Sequence, residues 1–224
     1  MFEIEIKSLL GSKERADALK RRLAERFPAL KVLPPHKQRN FYFNTPSDLR
    51  IIEKALGVLF SPKKREEFSQ IIKTARGGVS VRTRDADGRT LFIIKASIGD
   101  DTSANGVSRV EFEEPVPLSF DALNRRLLGA GLTYQAKWSR EREAYDLGGV
   151  QVTVDKNAGY GYLAEFEKMM QDGAEAEAAR REITALMQTL QCEELPQARL
   201  ERMFAYYNAH WEEYYGTDRT FTVE

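Results

Sequence analysis

Strict alternation of apolar and charged residues recurs along this chain and limits the folds it can adopt. In Phe2–Lys7, apolar residues occupy one set of alternate positions and charged residues the other. Successive side chains of a β-strand point to opposite faces of the sheet, so this period of two predicts a strand with one charged face. Val79–Arg84 repeats the pattern, and the turn sequence Asp85–Gly88 leads into a returning strand, Thr90–Lys95.

Further segments show strand patterns with tight turns between them. They are Asn40–Asn44, Ser108–Glu113, Lys137–Tyr145, Val150–Asp155 and Tyr162–Lys168. About eight strands are enough to close a small antiparallel barrel.

Apolar residues at helical spacing interrupt the strands. Ser12 is a good N-cap for a helix that Pro28 ends, and Ser61-Pro62 is a second helix start. Three more helices are predicted at Phe120–Leu128, at Ala174–Leu190 and after Pro196. We therefore predict an α+β fold: a closed eight-stranded antiparallel β-barrel with a charged interior and helices packed outside.

Composition narrows the possible partners. The 34 basic and 34 acidic residues cancel, whereas proteins that coat nucleic acid usually carry a basic excess, so we expect no nucleic-acid partner. A single cysteine, Cys192, excludes an internal disulfide, and His36 and His210 are too far apart in sequence to suggest a zinc site. No apolar run approaches membrane-spanning length, so we expect a cytoplasmic protein without a membrane partner.

On the faces of the predicted strands that are assigned as the charged side, the pattern Glu-x-Glu occurs three times. The pairs are Glu3 and Glu5, Glu111 and Glu113, and Glu165 and Glu167. For any one strand, a polar face turned to water is the simpler interpretation. For the whole set, like charges two positions apart repel, and a divalent cation relieves that repulsion. The neighbouring bases suit phosphate oxygens, so a polyphosphate bound to a metal would satisfy both groups.

Glu3-Ile4-Glu5-Ile6-Lys7 resembles the Glu-x-Glu-x-Lys motif that opens the CYTH domain, or triphosphate tunnel metalloenzyme, family. This family includes class IV adenylyl cyclases, thiamine triphosphatases and inorganic tripolyphosphatases. The remaining features of the pattern follow in order over about residues 1–168. They are an aromatic strand ending in Asn44-Thr45, then Arg82-x-Arg84, Lys95, Arg109-x-Glu111-x-Glu113, a basic strand, Asp155 and Glu165-x-Glu167.

The resemblance implies a tunnel in which bases bind the triphosphate and carboxylates hold one or two divalent ions, Mg²⁺ or Mn²⁺. The implied phosphate contacts are Lys7, Arg82, Arg84, Lys95, Arg109, Arg140 and Arg142. The implied metal ligands, or groups next to them, are Glu3, Glu5, Glu111, Glu113, Asp155, Glu165 and Glu167. Lys137 is an alternative to Arg140 that would turn the other face of its strand inward.

Hydrolysis of a small-molecule triphosphate is the first functional hypothesis, with inorganic tripolyphosphate, thiamine triphosphate or a nucleoside triphosphate as substrate. A metal would bridge two phosphates, and Lys7 or a second metal would orient and deprotonate the attacking water. The first alternative is conversion of ATP to cyclic AMP and pyrophosphate, which also needs a nucleoside pocket that the sequence does not reveal. The second is a non-catalytic binder of polyphosphate or nucleotide.

For domain organisation, we predict a triphosphate-tunnel domain over residues 1–195, with a helical insertion at about residues 46–78 beside one tunnel mouth. Residues 196–224 form an aromatic C-terminal helix, which packs on the domain or on a partner subunit. We expect a monomer or a homodimer.

Overall fold

The computed structural model describes residues 2–74, 78–97, 109–170 and 176–224, without the side chains of Phe2, Glu3, Ser97, Arg109, Val110 and Glu111. The strands are β1 (Phe2–Gly11), β2 (Lys31–Phe43), β3 (Val79–Ala86), β4 (Arg89–Ser97), β5 (Arg109–Pro115), β6 (Tyr134–Asp146), β7 (Gln151–Asn157) and β8 (Gly161–Met170). The helices are α1 (Lys13–Arg26), α2 (Arg50–Leu56), α3 (Pro62–Thr74), α4 (Phe120–Gly129), α5 (Ala176–Thr189) and α6 (Gln197–Tyr214). Among these residues, every helix is too short or too polar to cross a membrane.

The strands form one eight-stranded sheet in the order β1-β8-β7-β6-β2-β3-β4-β5. The predicted α+β class and the predicted strands are confirmed. The predicted closure into a barrel is wrong, because within the described residues the end strands β1 and β5 share no hydrogen bonds. Alternation specifies which face of each strand is apolar, but it carries no information on whether two free edges meet. In β1, the carbonyl of Lys7 accepts a hydrogen bond of 2.7 Å from the amide of Leu195, which follows α5.

The chain forms two compact units. The first unit comprises Met1–Lys37 and Ser139–Glu224, and the second comprises Gln38–Trp138. The ends of β2 and β6 lie in different units, since the boundaries fall inside these two strands.

The core of the first unit contains the apolar faces of β1, β7 and β8 together with one side of α1 and of α5. Its fully or almost fully buried members include Ile6, Leu19, Leu23, Val152, Val154, Phe166, Ile183 and Met187. The hydroxyl of Ser12 caps α1 by accepting a hydrogen bond from the amide of Arg15. Burying each such side chain contributes about 1.5–3 kcal/mol, so one face of each strand is committed to the core.

The core of the second unit is aromatic. Phe68 of α3 lies 5.1 Å from Phe112 of β5 and 5.6 Å from Phe92 of β4, measured between ring centroids. On β3, the buried hydroxyl of Thr83 donates a hydrogen bond of 2.7 Å to Asn124 Oδ1 and so ties α4 to the sheet. Helices α2 and α3 both lie in the segment 46–78.

The β3–β4 turn and the start of β2 compare differently with expectation. The predicted β3–β4 turn is confirmed: Asp87 and Gly88 have φ of 51° and 86°, as in a type I′ turn. Strand β2 begins at Lys31, well before the predicted Asn40. It pairs with β3 over Gln38–Phe43, and the prolines that obscured its earlier part precede that stretch.

Helix α6 and the segment after it pack on the turn between β7 and β8 in the first unit. The ring of Tyr207 is fully buried, with its centroid 5.6 Å from that of Tyr160. The amide of Phe221 donates to the carbonyl of Gly159 at 2.9 Å. A Cβ atom at Gly159 would lie 2.8 Å from the Tyr207 ring, so only glycine permits this contact.

Candidate functional site

The strand registers of the first unit bring its predicted site residues onto one face. Lys7 of β1 lies opposite Glu165 of β8, and Glu5 lies opposite Glu167. Asp155 of β7 lies opposite Arg142 of β6. The alternate residues of these strands fill the core, so the charged side chains share the other face of the sheet.

Arg142 is the centre of this charged cluster. Its guanidinium makes a two-pronged contact with Asp155, with Nε–Oδ1 and Nη2–Oδ2 distances of 2.7 and 2.5 Å. It also donates to Glu165. Arg140 Nη1 lies 3.3 Å from Asp155 Oδ2. The side chain of Asp155 is only 1% exposed, and those of Arg142 and Glu165 are 10% and 12% exposed. The contacts are therefore those of a largely desolvated ion cluster.

Lys7 lies between carboxylates. Its ammonium contacts Glu5 and lies 3.4 Å from Glu165 Oε1. As a compact point charge on the charged face, Lys7 is suited to binding phosphate oxygens.

Neighbouring charges outweigh the effect of burial on the pKa values of Glu165 and Arg142. Burial opposes the charge on Glu165, but the positive charges of Lys7, Arg142 and Arg140 and the hydrogen bond from Arg142 outweigh it. The pKa of Glu165 is consequently lowered. Burial also opposes the charge on Arg142, yet its hydrogen bonds and the charges of Glu165 and Asp155 raise its pKa further above the ordinary value. Each charge is stabilised by its neighbours.

The second unit holds its predicted cations with a different set of partners. Arg82 Nη1 donates to the Tyr42 hydroxyl at 3.0 Å, and Arg84 Nε donates to Asn40 Oδ1 at 2.9 Å. Arg84 Nη1 also lies 3.2 Å from both carboxylate oxygens of Glu113. Sequence reasoning missed Asn40 and Tyr42, although their period-two spacing within an aromatic strand could have indicated them.

Lys137 lies on the other side of the sheet of the second unit. Its ammonium is 4.8 Å from the ring centroid of Phe41 and 4.3 Å from that of Tyr134. Phe41 in turn packs on Phe120 of α4, with a centroid separation of 4.7 Å. Phe41 alternates with the arginine-binding residues of β2, so Lys137 faces the helices. This placement favours Arg140 over Lys137 as a phosphate contact.

The other predicted site residues are placed by register alone. Lys95 lies opposite Glu111, and Arg109 opposite Ser97. Glu3 lies opposite Met169. The side chains of Glu3, Arg109 and Glu111 are outside the described part of the structure.

Carboxylates of the first unit have the donor chemistry that Mg²⁺ or Mn²⁺ requires. Glu5 and Glu167 lie directly across from each other on neighbouring strands, and Glu165 shares their face. Like charges in that position destabilise a sheet unless a cation compensates them. Among the described residues, no three acidic, histidine or cysteine side chains converge closely enough to form a ready-made metal site. The donor types on this face therefore suit a divalent ion, although their side chains would have to move closer together to bind one.

Fold and site together define an α+β protein. In each unit, helices cover one apolar face of the strands, and the opposite face carries arginine or lysine together with carboxylates. The family model for the CYTH domain matches residues 1–199. The chain belongs to the CYTH domain family. Comparison with curated proteins finds no significant match.

Solved structures with this fold come from several organisms. A protein from Pyrococcus horikoshii OT3 is 17% identical with a TM-score of 0.58, and the match covers 92% of this chain and 99% of that one. A candidate adenylate cyclase from Vibrio parahaemolyticus is 17% identical with a TM-score of 0.56, covering 92% and 98%. A candidate adenylyl cyclase from Hippeastrum, with a dominant triphosphatase activity, is 17% identical with a TM-score of 0.52, covering 92% and 96%. At these identities the likeness concerns the fold.

Proposed function

We propose that this protein hydrolyses a triphosphate in a reaction that depends on Mg²⁺ or Mn²⁺. Candidate substrates are inorganic tripolyphosphate, thiamine triphosphate and nucleoside triphosphates. The observation that carries the proposal is the buried cluster of Lys7, Arg142, Asp155 and Glu165. Burying ion pairs is a poor route to stability, since well-packed apolar residues usually do as well or better. A cluster retained at that cost is explained by a ligand that needs both signs of charge.

Cations of the first unit would bind the phosphoryl oxygens. The planar guanidinium groups of Arg140 and Arg142 can each present two N–H donors to a phosphoryl group, while Lys7 contributes a point charge. Asp155 anchors Arg142, which would exchange its contact with Glu165 for the charge that develops on the transferred phosphoryl group. The other predicted phosphate contacts are Arg82, Arg84, Lys95 and Arg109.

Carboxylates would hold the metal. Glu5, Glu165 and Glu167 are the candidates of the first unit, with Asp155 beside them, and Glu3, Glu111 and Glu113 complete the predicted set. A divalent ion bound there would neutralise phosphate charge and polarise water. Lys7 orients the attacking water in this proposal. To reach that water, its ammonium would exchange its contacts with Glu5 and Glu165 for new ones.

Cyclisation of ATP is the second candidate, because structural relatives include candidate adenylate cyclases. It would use the same cations but present the α-phosphate to a ribose hydroxyl. The dominant triphosphatase activity of the Hippeastrum relative supports hydrolysis as the first choice.

A product assay tests the proposal. The protein is incubated with tripolyphosphate, thiamine triphosphate or ATP, each with Mg²⁺, Mn²⁺ or excess chelator, and phosphate, pyrophosphate and cyclic AMP are quantified. We expect orthophosphate that depends on the metal, without cyclic AMP. Cyclic AMP with pyrophosphate would establish cyclisation, the second candidate. No product from any substrate would contradict both enzymatic hypotheses and favour a non-catalytic binder.

Two lysine variants provide matched site and control changes in that assay. Lys7→Ala should lower kcat/KM at least about 100-fold, because it removes a cation that stabilises the transition state. Lys137→Ala removes the same charge from the helix-covered side and should leave kcat/KM within about twofold of wild type. Equal losses in the two variants would contradict the assignment of the site to the Lys7 face. Thermal unfolding of both variants separates loss of activity from loss of fold.

A further inference from the structure

Thr153 of β7 lies within the charged cluster of the first unit. It is directly opposite Glu165 of β8 and directly opposite Ala144 of β6. Its neighbours in the strand, Val152 and Val154, belong to the apolar core, so the side chain of Thr153 is on the charged face. Thr153 is not among the site residues predicted from the sequence.

The hydroxyl of Thr153 is buried without a hydrogen-bond partner among the described residues. The residue has no exposed surface. Leaving a buried hydroxyl unpaired costs stability, and buried polar groups are normally satisfied. Valine has nearly the same shape and a high strand propensity, so packing alone does not explain a threonine at this position.

In the structure, the Glu165 carboxylate is already bound by two cations. Arg142 donates to its carboxylate, and Lys7 lies 3.4 Å away. The contact from Arg142 on β6 to Glu165 on β8 crosses β7 diagonally, from the level of Asp155 to that of Thr153. The unpaired hydroxyl therefore lies beside a carboxylate that is occupied by cations.

Phosphate binding would change those partners. This step rests on the proposed function, in which Arg142 and Lys7 both turn toward phosphoryl oxygens. A carboxylate that loses two cations in a desolvated place must gain another donor or a metal. Side chains directly opposite on antiparallel strands have Cβ atoms roughly 4.5–5.5 Å apart, so a rotation within Glu165 brings its carboxylate within reach of the hydroxyl.

We propose that Thr153 is a positioning residue that donates a hydrogen bond to Glu165 when Arg142 and Lys7 engage phosphate. The hydroxyl holds the freed carboxylate in a defined orientation, which would leave its other oxygen available to a divalent ion. The Thr153 hydroxyl is thus hydrogen-bonded only when phosphate is bound. In the free protein it stays unpaired and lowers stability.

The test compares stability and binding in three variants. Thr153→Val keeps the shape and removes the hydroxyl, and Thr153→Ser keeps the hydroxyl. Thr83→Val is the matched control, because Thr83 is equally buried in a strand but its hydroxyl already bonds to Asn124. The thermal midpoint of each free protein is measured first, and then the dissociation constant for tripolyphosphate with Mn²⁺ by calorimetry.

We expect Thr153→Val to unfold at the same temperature as wild type or higher, yet to bind tripolyphosphate with Mn²⁺ about tenfold more weakly. Thr153→Ser should restore most of the affinity. Thr83→Val should unfold roughly 2–4 °C lower with unchanged affinity. A variant that was merely damaged would lose stability and affinity together.

Two outcomes overturn the inference. If Thr153→Val lowers the midpoint and leaves binding unchanged, the hydroxyl has a structural partner in the free protein. If it changes neither quantity, Thr153 does not act on Glu165. In both cases wild type still binds tripolyphosphate and the proposed function stands. If wild type itself fails to bind any triphosphate with Mn²⁺ or Mg²⁺, the proposed function and this inference fall together.

Discussion

The arginines of the two units have different partners. In the first unit Arg142 contacts two carboxylates, Asp155 and Glu165. In the second unit Arg82 donates to a tyrosine hydroxyl, and Arg84 donates to an asparagine carbonyl and to Glu113. The carboxylates also differ in their surroundings, since Asp155 is 1% exposed and Glu113 is 35% exposed.

Burial changes what an ion pair contributes. A pair near the surface is screened by water and stabilises a fold by at most about 1 kcal/mol. A buried pair contributes little net stability, but removal of one partner leaves a desolvated charge. We therefore expect single charge deletions to be costly in the Arg142 cluster of the first unit and mild at the Arg84–Glu113 pair of the second. By this argument, loss of any one member of the Arg142 cluster lowers the free energy of unfolding strongly unless another charged ligand takes its place.

The largest expected contrast is between two carboxylate deletions. Asp155→Ala should lower the free energy of unfolding by about 3–5 kcal/mol, because Arg142 stays buried with fewer partners. Glu113→Ala should lower it by at most about 1 kcal/mol. Urea unfolding monitored by circular dichroism measures both values. Similar losses in the two variants would contradict the contrast between a buried and a screened cluster.

A second contrast concerns glycines in hairpin turns of the two units. Gly161, with φ of +71°, leaves no room for a side chain, since a Cβ atom would lie 2.1 Å from the carbonyl oxygen of Gly11. Gly88, with φ of +86°, has no atom of the described residues within 4 Å of that position. Gly161→Ala should therefore cost about 3 kcal/mol or more, whereas Gly88→Ala costs only the backbone strain of about 1 kcal/mol.

The same unfolding titrations separate these two glycine effects. A Gly161→Ala variant as stable as Gly88→Ala would show that β1 and β8 can move apart at Gly11 without loss, which would contradict the close backbone contact.

The smallest effect is on the pH dependence of stability. The pKa of Glu165 is lowered in the folded protein, so the ionised form stabilises the fold at neutral pH. That contribution is complete above the ordinary glutamate pKa of 4.5 and is lost as pH falls from there through the lowered value. Between pH 6 and about pH 3, wild type should therefore lose more stability than Glu165→Gln. Parallel curves for the two proteins would contradict the lowered pKa.

Much of the local structure could be predicted from short patterns. Period-two alternation located the strands and assigned Ile6, Val152 and Phe166 to the core face, because strand geometry alone separates odd from even positions. The Ser12 cap and the turn at Gly88 were equally local, since each depends on the conformational preferences of a few neighbouring residues. The early part of β2 was missed because prolines there lack the strand signal.

The sequence by itself therefore determined the fold class, the identity of the apolar and charged faces, and most of the charged residues that share a face, because these depend on residue type and spacing. Tertiary structure decided which charges meet. It set Lys7 and Arg142 against the same carboxylate, placed the Lys137 ammonium over the ring of Phe41, and left the hydroxyl of Thr153 unpaired beside Glu165. It also left the edges of β1 and β5 unjoined within the described residues. Strand order and register join residues more than a hundred positions apart, and a pattern that is read within one strand contains no information about its partner.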